Sequence, residues 1–535
     1  MTEGSQSGSA HADTFTADRL PPADQWPELL WDLPELQYGA NVNAGAELLD
    51  RTIANFGGDR IAIIADDGTW TYEQLLRDVQ SVAALLRDEG VVPGNRVLLR
   101  GPNNGRLVIA WLAALRVGAV VVTTIPLLRA TEIDAINEMA KPSVAIVDHR
   151  LLEDWNASSF AGRTIYYGDG TPDSMEVRAA SARSSSEPVM TAATDVALLA
   201  FTSGTTGRPK ATMHAHRDVL AIADTFSAHV VKPTSDDVFS GSPPLAFTFG
   251  LGGLVVFPMR IGARTVLLEA GAPPKLLEAI ERHGITCLFT APTAYRAMLP
   301  LLENTDVSCL RRCVSAGETL PEATWHAWRE ATGIELIDGI GATEMLHIFI
   351  SASDADIRPG FTGKAVPGFR AQVVDEQMKA VGPGTPGRLA VQGPTGCRYL
   401  DDERQTNYVK AGWNLTGDIY VMDDDGYFRY VARADDMIVS SGYNIAAPEV
   451  ENSLLSHPAV QETAVVGVPD ADRGMLVAAY VVLSPGFSPS DHLRGELQDH
   501  VKATIAPYKY PRVLEFVDAL PKTATGKLQR FRLKS

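Results

Sequence analysis

Two hydrophobic periods meet between Arg60 and Gly90, in RIAIIADDGTWTYEQLLRDVQSVAALLRDEG. Ile61 to Ala65 is a short apolar run that predicts a strand, and the DDG after it is a hairpin turn signal. From Thr71 onward, Leu75, Leu76, Val79, Val82, Ala83 and Leu86 recur at the spacing of one helix face. Thr71 and Gln74 form a capping box at the start of that helix, and Gly90 stops it. Farther on, RVLLRG and AVVVTTI flank a helical LVIAWLAALRVG, and the alternation continues through GARTVLLEAG, ITCLFTAP and RRCVSAGE. Strands that read as unbroken apolar runs between helices predict an α/β fold with mainly parallel sheets and packed helices.

The pattern changes after about Ala390. GWNLTGDIYVMDDDGYFRYVARADDMIVSSG reads as a meander of short antiparallel strands, a small barrel-like β subdomain. A smaller α+β unit follows: helix PEVENSLLSHP, strands ETAVVGVPD and LVAAYVVL, helix LRGELQDHVKATI, strand RVLEFVD and a basic tail. A chain of 535 residues needs more than one core. We therefore expect a large N-terminal domain over 23–432, a boundary at 433–437 and a C-terminal domain over 438–535. Residues 1–22 are small, polar and acidic and lack the basic start and apolar run of a signal peptide, so they are expected to form a disordered tail. Val238 to Met259 carries no charge and is long enough to span a membrane. Pro243, Pro244, Pro258 and four glycines interrupt it, which favours a buried core with a turn.

Charge narrows the function. The formal net charge is −18, which opposes non-specific binding to nucleic acid or to an anionic membrane. The four cysteines, Cys287, Cys309, Cys313 and Cys397, have no zinc-ligand spacing and read as reduced thiols of a cytoplasmic protein.

Candidate chemistry begins in LAFTSGTTGRPKATMHAH. Thr202, Ser203, Thr205 and Thr206 offer hydroxyls, Gly204 and Gly207 let backbone N–H groups approach a ligand, and Lys210 adds a positive charge. These are the parts of a polyphosphate cradle, although the loop is not a Walker A sequence. IGATEMLHIF sets Thr343 beside Glu344, a hydroxyl and carboxylate suited to phosphate oxygens and Mg²⁺. WNLTGDIY offers Asp418 to ribose hydroxyls, ARADDMI offers Arg433, and LPKTATGKLQR holds Lys527 after Gly526. Each alone also reads as a solvated turn, a surface ion pair or a charged terminus.

In this order and spacing the segments closely resemble the adenylate-forming superfamily of acyl- and aryl-CoA synthetases, luciferases and peptide-synthetase adenylation domains. The resemblance covers nearly the whole chain after the tail. It implies that Thr202 to Lys210 form the phosphate loop. SAGE, with Gly317 and Glu318, and DGIG, with Asp338, Gly339, Ile340 and Gly341, then bind adenine. Thr343 and Glu344 become the phosphate and Mg²⁺ pair, Asp418 the ribose carboxylate, Arg433 its ribose or phosphate partner, Asp435 the hinge and Lys527 the catalytic lysine. Gly442 would border the pantetheine tunnel of coenzyme A, a plain glycine turn being the alternative. Many members carry an aromatic residue where Ile340 stands, so the stacking contact on adenine is expected to be weaker here. The C-terminal domain is expected to be a mobile catalytic lid.

DGIGATEMLHIFISA is similar to benzoate-CoA ligases, and GCRYLDDERQTNYVKAGWNLTGD and IPLLRATEI to 2-aminobenzoate-CoA ligases. Phe247 falls where the family places an acyl-pocket aromatic. Thr248 stands where α-amino-acid adenylation domains carry Asp, and Thr cannot pair with an ammonium. Phe249, Ile340, Gly341, Ala342, His347 and Ile348 could line a flat apolar slot for a planar acid. His347 reads equally as a contact to an ortho substituent or carboxylate and as a satisfied buried histidine; His214 and His216 read as packing residues. The expected activity is ATP- and Mg²⁺-dependent ligation of an aromatic carboxylic acid to CoA through an acyl-adenylate. A stand-alone enzyme loading a carrier protein, or a non-catalytic acyl or nucleotide sensor, are the alternatives. The oligomeric state has no signature.

Overall fold

The computed structural model describes residues 8–202, 209–440, 443–470, 474–522 and 528–533. Ser203, Gly204, Thr205, Thr206, Gly207, Gly442 and Lys527 lie outside these residues. The mixed α/β architecture expected from the periodicity is present, as four sheets.

Six strands form the first sheet, in the order Arg163–Tyr167, Val144–Asp148, Arg96–Arg100, Val120–Thr124, Val196–Thr202 and Lys210–Ala215. All neighbours are parallel except the last pair, in which Thr202 faces Lys210. The second sheet has nine strands. At its centre Leu336–Gly341, Arg312–Ser315, Cys287–Thr290, Val238–Gly241, Arg264–Val266 and Ile61–Ala65 run parallel, with antiparallel strands at both edges. Most of their apolar side chains are buried on both faces, Ile61 on the outermost of these parallel strands being exposed, hence the continuous runs in the sequence.

Helices Tyr72–Asp88 and Gly105–Arg116 belong to the core that joins these sheets. The first has the expected capping box, Thr71 Oγ1 accepting from Gln74 N and Gln74 Oε1 from Thr71 N. Its buried face includes the expected Leu75, Val79, Val82, Ala83 and Leu86, while Leu76 sits at the margin. Tyr72 Oη donates to the Ala263 carbonyl at 2.5 Å and ties this helix to the second sheet. Val238–Met259 is a buried strand followed by a buried helical stretch, and among the described residues no helix is long and apolar enough to cross a membrane.

The third sheet is the antiparallel meander, built from Arg370–Val374, Gly387–Gln392, Trp413–Met422, Val409–Lys410 and Phe428–Arg433. The chain leaves it at Arg433, turns through Ala434–Asp436 and enters the fourth sheet at Met437. That sheet carries helices Ala447–Leu455 and Asp491–Thr504 around a separate apolar core.

One expectation is corrected. Residues 8–22 are packed, not disordered. Ala12 and Asp13 donate to the Pro93 carbonyl, the Asp13 carboxylate meets Arg96 and Asn95, and Thr16 is fully buried. The Phe15 ring lies 4.0 Å from the Arg19 guanidinium and 4.2 Å from that of Arg96. Polar composition hid this arm because one aromatic anchor and one carboxylate hold it.

The extended segment at Arg398–Leu400 bonds along Lys210–Ala215, through Met213 N to Arg398 O and Leu400 N to Ala211 O. A buried ion pair locks the contact: Arg398 Nη2 lies 2.5 Å from Asp218 Oδ2, with both side chains almost wholly inaccessible. Removing one partner of such a pair strands the other charge, at a cost of about 3–5 kcal/mol. Asp218→Ala should therefore lower the thermal midpoint strongly in a melting experiment. The paired replacement Asp218→Leu with Arg398→Met should recover most of the loss.

Candidate active site

The parallel strands of the second sheet end together, with Thr290, Ser315 and Asp338 adjacent in register. The crevice outside the carboxyl ends of such strands is where open α/β sheets bind ligands. Gly317 follows Arg312–Ser315 in a left-handed turn (φ +89°) with open space where a side chain would stand, and Glu318 accepts weakly from Thr293 N. Asp338, Gly339, Ile340 and Gly341 close the neighbouring strand. Burial pushes the Asp338 carboxyl up to about 8 against the opposing bonds from the Gly339 backbone and the Thr362 side chain. Ile340 and Ala342 remain half-buried, and Gly341 is exposed.

Thr343–Met345 then makes a single 3-10 turn. Leu346, fully buried, follows it at φ +67°. That conformation costs a non-glycine residue on the order of 1–3 kcal/mol and persists only where the surroundings impose it. Three outside donors grip the turn. His214 Nε2 donates to Thr343 O at 2.8 Å, Tyr399 Oη to Glu344 Oε1 at 2.5 Å, and Thr395 Oγ1 to Met345 O at 2.7 Å. Lys210 Nζ rests on Tyr399 Oη at 2.9 Å and stands 3.6 Å from Glu344 Oε1. Among the described residues, Glu344 Oε2 makes no hydrogen bond and no cluster of three His, Cys, Asp or Glu could hold a metal. One hard carboxylate oxygen left open beside a hydroxyl fits Mg²⁺ shared with substrate phosphates, not a closed protein cage.

Asp418 and Arg433 face each other across the third sheet, with Arg433 Nη1 3.0 Å from Asp418 Oδ1. Arg433 also donates to Thr416 O. Gly417 permits this: it has φ +80°, and a Cβ there would come within 2.9 Å of Arg433 Nη2. Burial raises the Asp418 pKa, opposed by Arg433.

An aromatic box opens behind the turn. The His347 ring lies 4.6 Å from Phe257, 5.3 Å from Phe226 and 5.8 Å from Phe249. Phe226 and Phe257 belong to helical stretches that widen or have just widened into π-turns, at Ala223–Val231 and Gly252–Val256. Gly252 makes room for the imidazole, since a Cβ there would come within 2.4 Å of it. His347 is 3% exposed, and neither ring nitrogen has a partner in hydrogen-bonding geometry. Burial outweighs the influence of the Phe249 backbone and pushes its pKa down to about 3. It is buried but not satisfied. Phe247, Thr248 and Phe249 are half-buried, and of these Phe249 meets the His347 ring, whereas Ile348 is buried over Gly339.

His214 and His216 are fully buried, as packing residues would be; His216 Nδ1 accepts from Ala44 N, but His214 holds the turn. Tyr399, Thr395, Arg398 and Asp218 were not singled out in the sequence. No local pattern marks them, because the partners they hold lie 50 to 180 positions away along the chain.

The chain belongs to the AMP-binding enzyme family, whose model matches residues 49–399, with the family's C-terminal domain matching 449–527. It is 35% identical to the benzoate–CoA ligase of Thauera aromatica over 513 residues, 94% of this chain and 97% of that protein. Among solved structures it superposes on the anthranilate CoA ligase AuaEII in complex with anthranoyl-AMP with a TM-score of 0.88. The two are 34% identical, with 94% of this chain and 98% of that one covered. A benzoate CoA ligase from Burkholderia xenovorans LB400 gives a TM-score of 0.84 at 32% identity, with 92% and 100% covered. ATP, Mg²⁺ and coenzyme A are the cofactors that go with this membership, and acid–thiol ligation is its reaction.

Three buried histidines set an acid limit. Burial pushes His214 down to about 4 and His216 and His347 to about 3. Between pH 6.5 and 5 the unfolded chain takes up these protons and the folded protein does not, so each costs about 2 kcal/mol of stability at pH 5. Asp338, protonated in the folded state below about 8, acts in the opposite direction. Asp418, whose pKa burial also raises, acts with Asp338, and His11, lowered by burial, acts with the three histidines. The histidines prevail and the thermal midpoint is expected to fall as pH is lowered from 7 to 5, whereas a midpoint that rises would contradict these burials.

Proposed function

We propose that this chain is a cytoplasmic ATP-dependent ligase that joins an aromatic carboxylic acid, of the benzoate or 2-aminobenzoate kind, to coenzyme A. One observation carries the reading. The same short turn presents Glu344 towards Lys210 and, three residues later, sends His347 into a box of phenylalanine rings. A nucleotide site and a flat apolar slot are thereby joined through a few backbone atoms. The unpaired thiols, two of them fully buried within the second sheet, support the cytoplasmic assignment.

A carboxylate cannot acylate a thiol directly because its leaving group would be oxide. Attack of a carboxylate oxygen on the α-phosphorus forms the acyl–phosphate bond and breaks the α–β bridge, releasing pyrophosphate. The CoA thiolate then attacks the acyl carbon and AMP departs with the bonding pair. The first step brings an anion to a polyanion, so positioning and charge neutralisation dominate it. In our reading Thr202 to Lys210 and Thr343 hold phosphate oxygens, and Gly317, Glu318 and Asp338 to Gly341 hold adenine. Asp418, backed by Arg433, takes the ribose hydroxyls. Glu344 holds Mg²⁺, which when bound screens the phosphate charge. Lys527 contacts both the attacking carboxylate and the α-phosphate, and Asp435 is the hinge about which the C-terminal domain turns to bring Gly442 to the pantetheine. Phe247, Thr248, Phe249, Ala342 and His347 receive the ring, with Ile348 as backing.

The uncommitted His347 imidazole favours a ring that carries a hydrogen-bonding substituent. An unpaired buried polar group costs about 1–3 kcal/mol, and a ligand that pairs it recovers part of that. Pyrophosphate release should be measured with ATP and Mg²⁺ across benzoate, 2-aminobenzoate, 2-hydroxybenzoate, cinnamate, an α-amino acid and medium-chain fatty acids, with and without CoA. Turnover with aryl acids that rises on adding CoA is expected, 2-aminobenzoate exceeding benzoate about tenfold in kcat/KM, the equivalent of about 1.4 kcal/mol. A single turnover that CoA does not relieve would point to a carrier protein instead, and no release with any acid to a sensor.

Lys527→Ala is expected to slow adenylation by about 10²–10³ while thioester formation from supplied acyl-adenylate stays near wild type. Equal losses in both half-reactions would remove the assigned division of labour.

A further inference from the structure

The Thr343–Leu346 turn holds a backbone conformation that its own sequence disfavours, so whatever fixes it lies elsewhere. Thr343 O accepts twice, from Leu346 N at 3.1 Å within the turn and from His214 Nε2 at 2.8 Å outside it. The imidazole must carry its proton on Nε2 to make this bond. The second external hold is on the side chain: Tyr399 Oη donates to Glu344 Oε1 and directs Oε2 elsewhere. Tyr399 also restrains Lys210. The ammonium rests on its hydroxyl at 2.9 Å and stands over its ring, which keeps it 3.6 Å from the Glu344 carboxylate. Without that hydroxyl the ammonium is free to close on Glu344 and compete with a cation there. His214 and Tyr399 are themselves neighbours, because Thr212 bridges to Tyr399 along the two paired segments and the Arg398–Asp218 ion pair locks those segments together.

We propose that His214 and Tyr399 are paired positioning residues for the nucleotide turn, His214 fixing its main chain and Tyr399 presenting the Glu344 carboxylate to the metal while holding Lys210 off it. This rests on the reading of Glu344 as the Mg²⁺ ligand given above. Neither residue touches the reacting atoms.

The test uses the full chain as wild type, Tyr399→Phe, His214→Gln and His214→Leu. Mn²⁺ in the presence of ATP, without any carboxylic acid, is titrated by electron paramagnetic resonance. ATP binding in EDTA is measured by calorimetry, and thermal midpoints are recorded alongside. Tyr399→Phe should raise the Mn²⁺ needed for half-saturation about tenfold and leave metal-free ATP binding within about twofold. His214→Leu should weaken Mn²⁺ binding similarly and lower kcat for pyrophosphate release more than it changes KM for the acid. His214→Gln places an amide donor near the lost Nε2–H and should restore both to within about threefold. Wild-type Mn²⁺ binding in Tyr399→Phe, or a glutamine variant no better than leucine, would overturn the proposal. A wild-type protein that binds Mn²⁺ and ATP no better than Glu344→Gln would overturn the assignment of Glu344, and the clamp with it. If His214→Leu does not fold, the Tyr399→Phe titration decides.

Discussion

The left-handed backbone at Leu346 is the constraint on which the site depends. It turns the chain sharply after Gly341, so that Glu344 faces Lys210 while His347, three residues on, enters the aromatic box. A relaxed strand would have carried these side chains to alternate faces of the sheet, since its side-chain period is two. The strain persists because three donors from other parts of the chain take hold of three consecutive residues. Those donors come from the strand Lys210–Ala215 and from the segment at Thr395–Tyr399, so the turn is imposed by tertiary structure.

The same logic explains how two kinds of chemistry share one crevice. Polar groups gather at the carboxyl ends of the parallel strands, where backbone termini and short turns are free to meet a ligand. Apolar groups lie one layer deeper, where Gly252 lets the imidazole pack among Phe226, Phe249 and Phe257. Burial shifts the titrating groups towards neutrality in both places, Asp338 upwards and His347 downwards. A neutral imidazole among phenylalanine rings suits a planar ring, and the charged Lys210 and Glu344 suit phosphate and its metal.

Much of this was legible in the amino-acid sequence where the signal is local. Thr71 and Gln74 lie three residues apart, so the helix Tyr72–Asp88 and its start could be read directly. The order of the acidic, glycine-rich and lysine-bearing segments carried the family resemblance in the same way. What could not be read depends on distance along the chain. Asp218 and Arg398 are 180 positions apart and His214 and Thr343 are 129 apart, so no periodicity links them. The arm around Asp13 and Phe15 was missed because its composition matches that of a disordered segment, and Leu346 because leucine carries no sign of a positive φ. His347 could be placed in a pocket, but only the three surrounding rings reveal that its nitrogens are left unpaired.

If nucleotide and ring sites adjoin through the Thr343–His347 turn, one ligand can fill both at once. The most direct measurement is the equilibrium affinity of a stable sulfamoyl analogue in which a 2-aminobenzoyl group is joined to adenosine, compared with AMP and 2-aminobenzoate separately. Joined sites predict an affinity for the linked compound that exceeds either fragment by several orders of magnitude. A linked analogue that binds no more tightly than AMP would mean that the two sites do not adjoin.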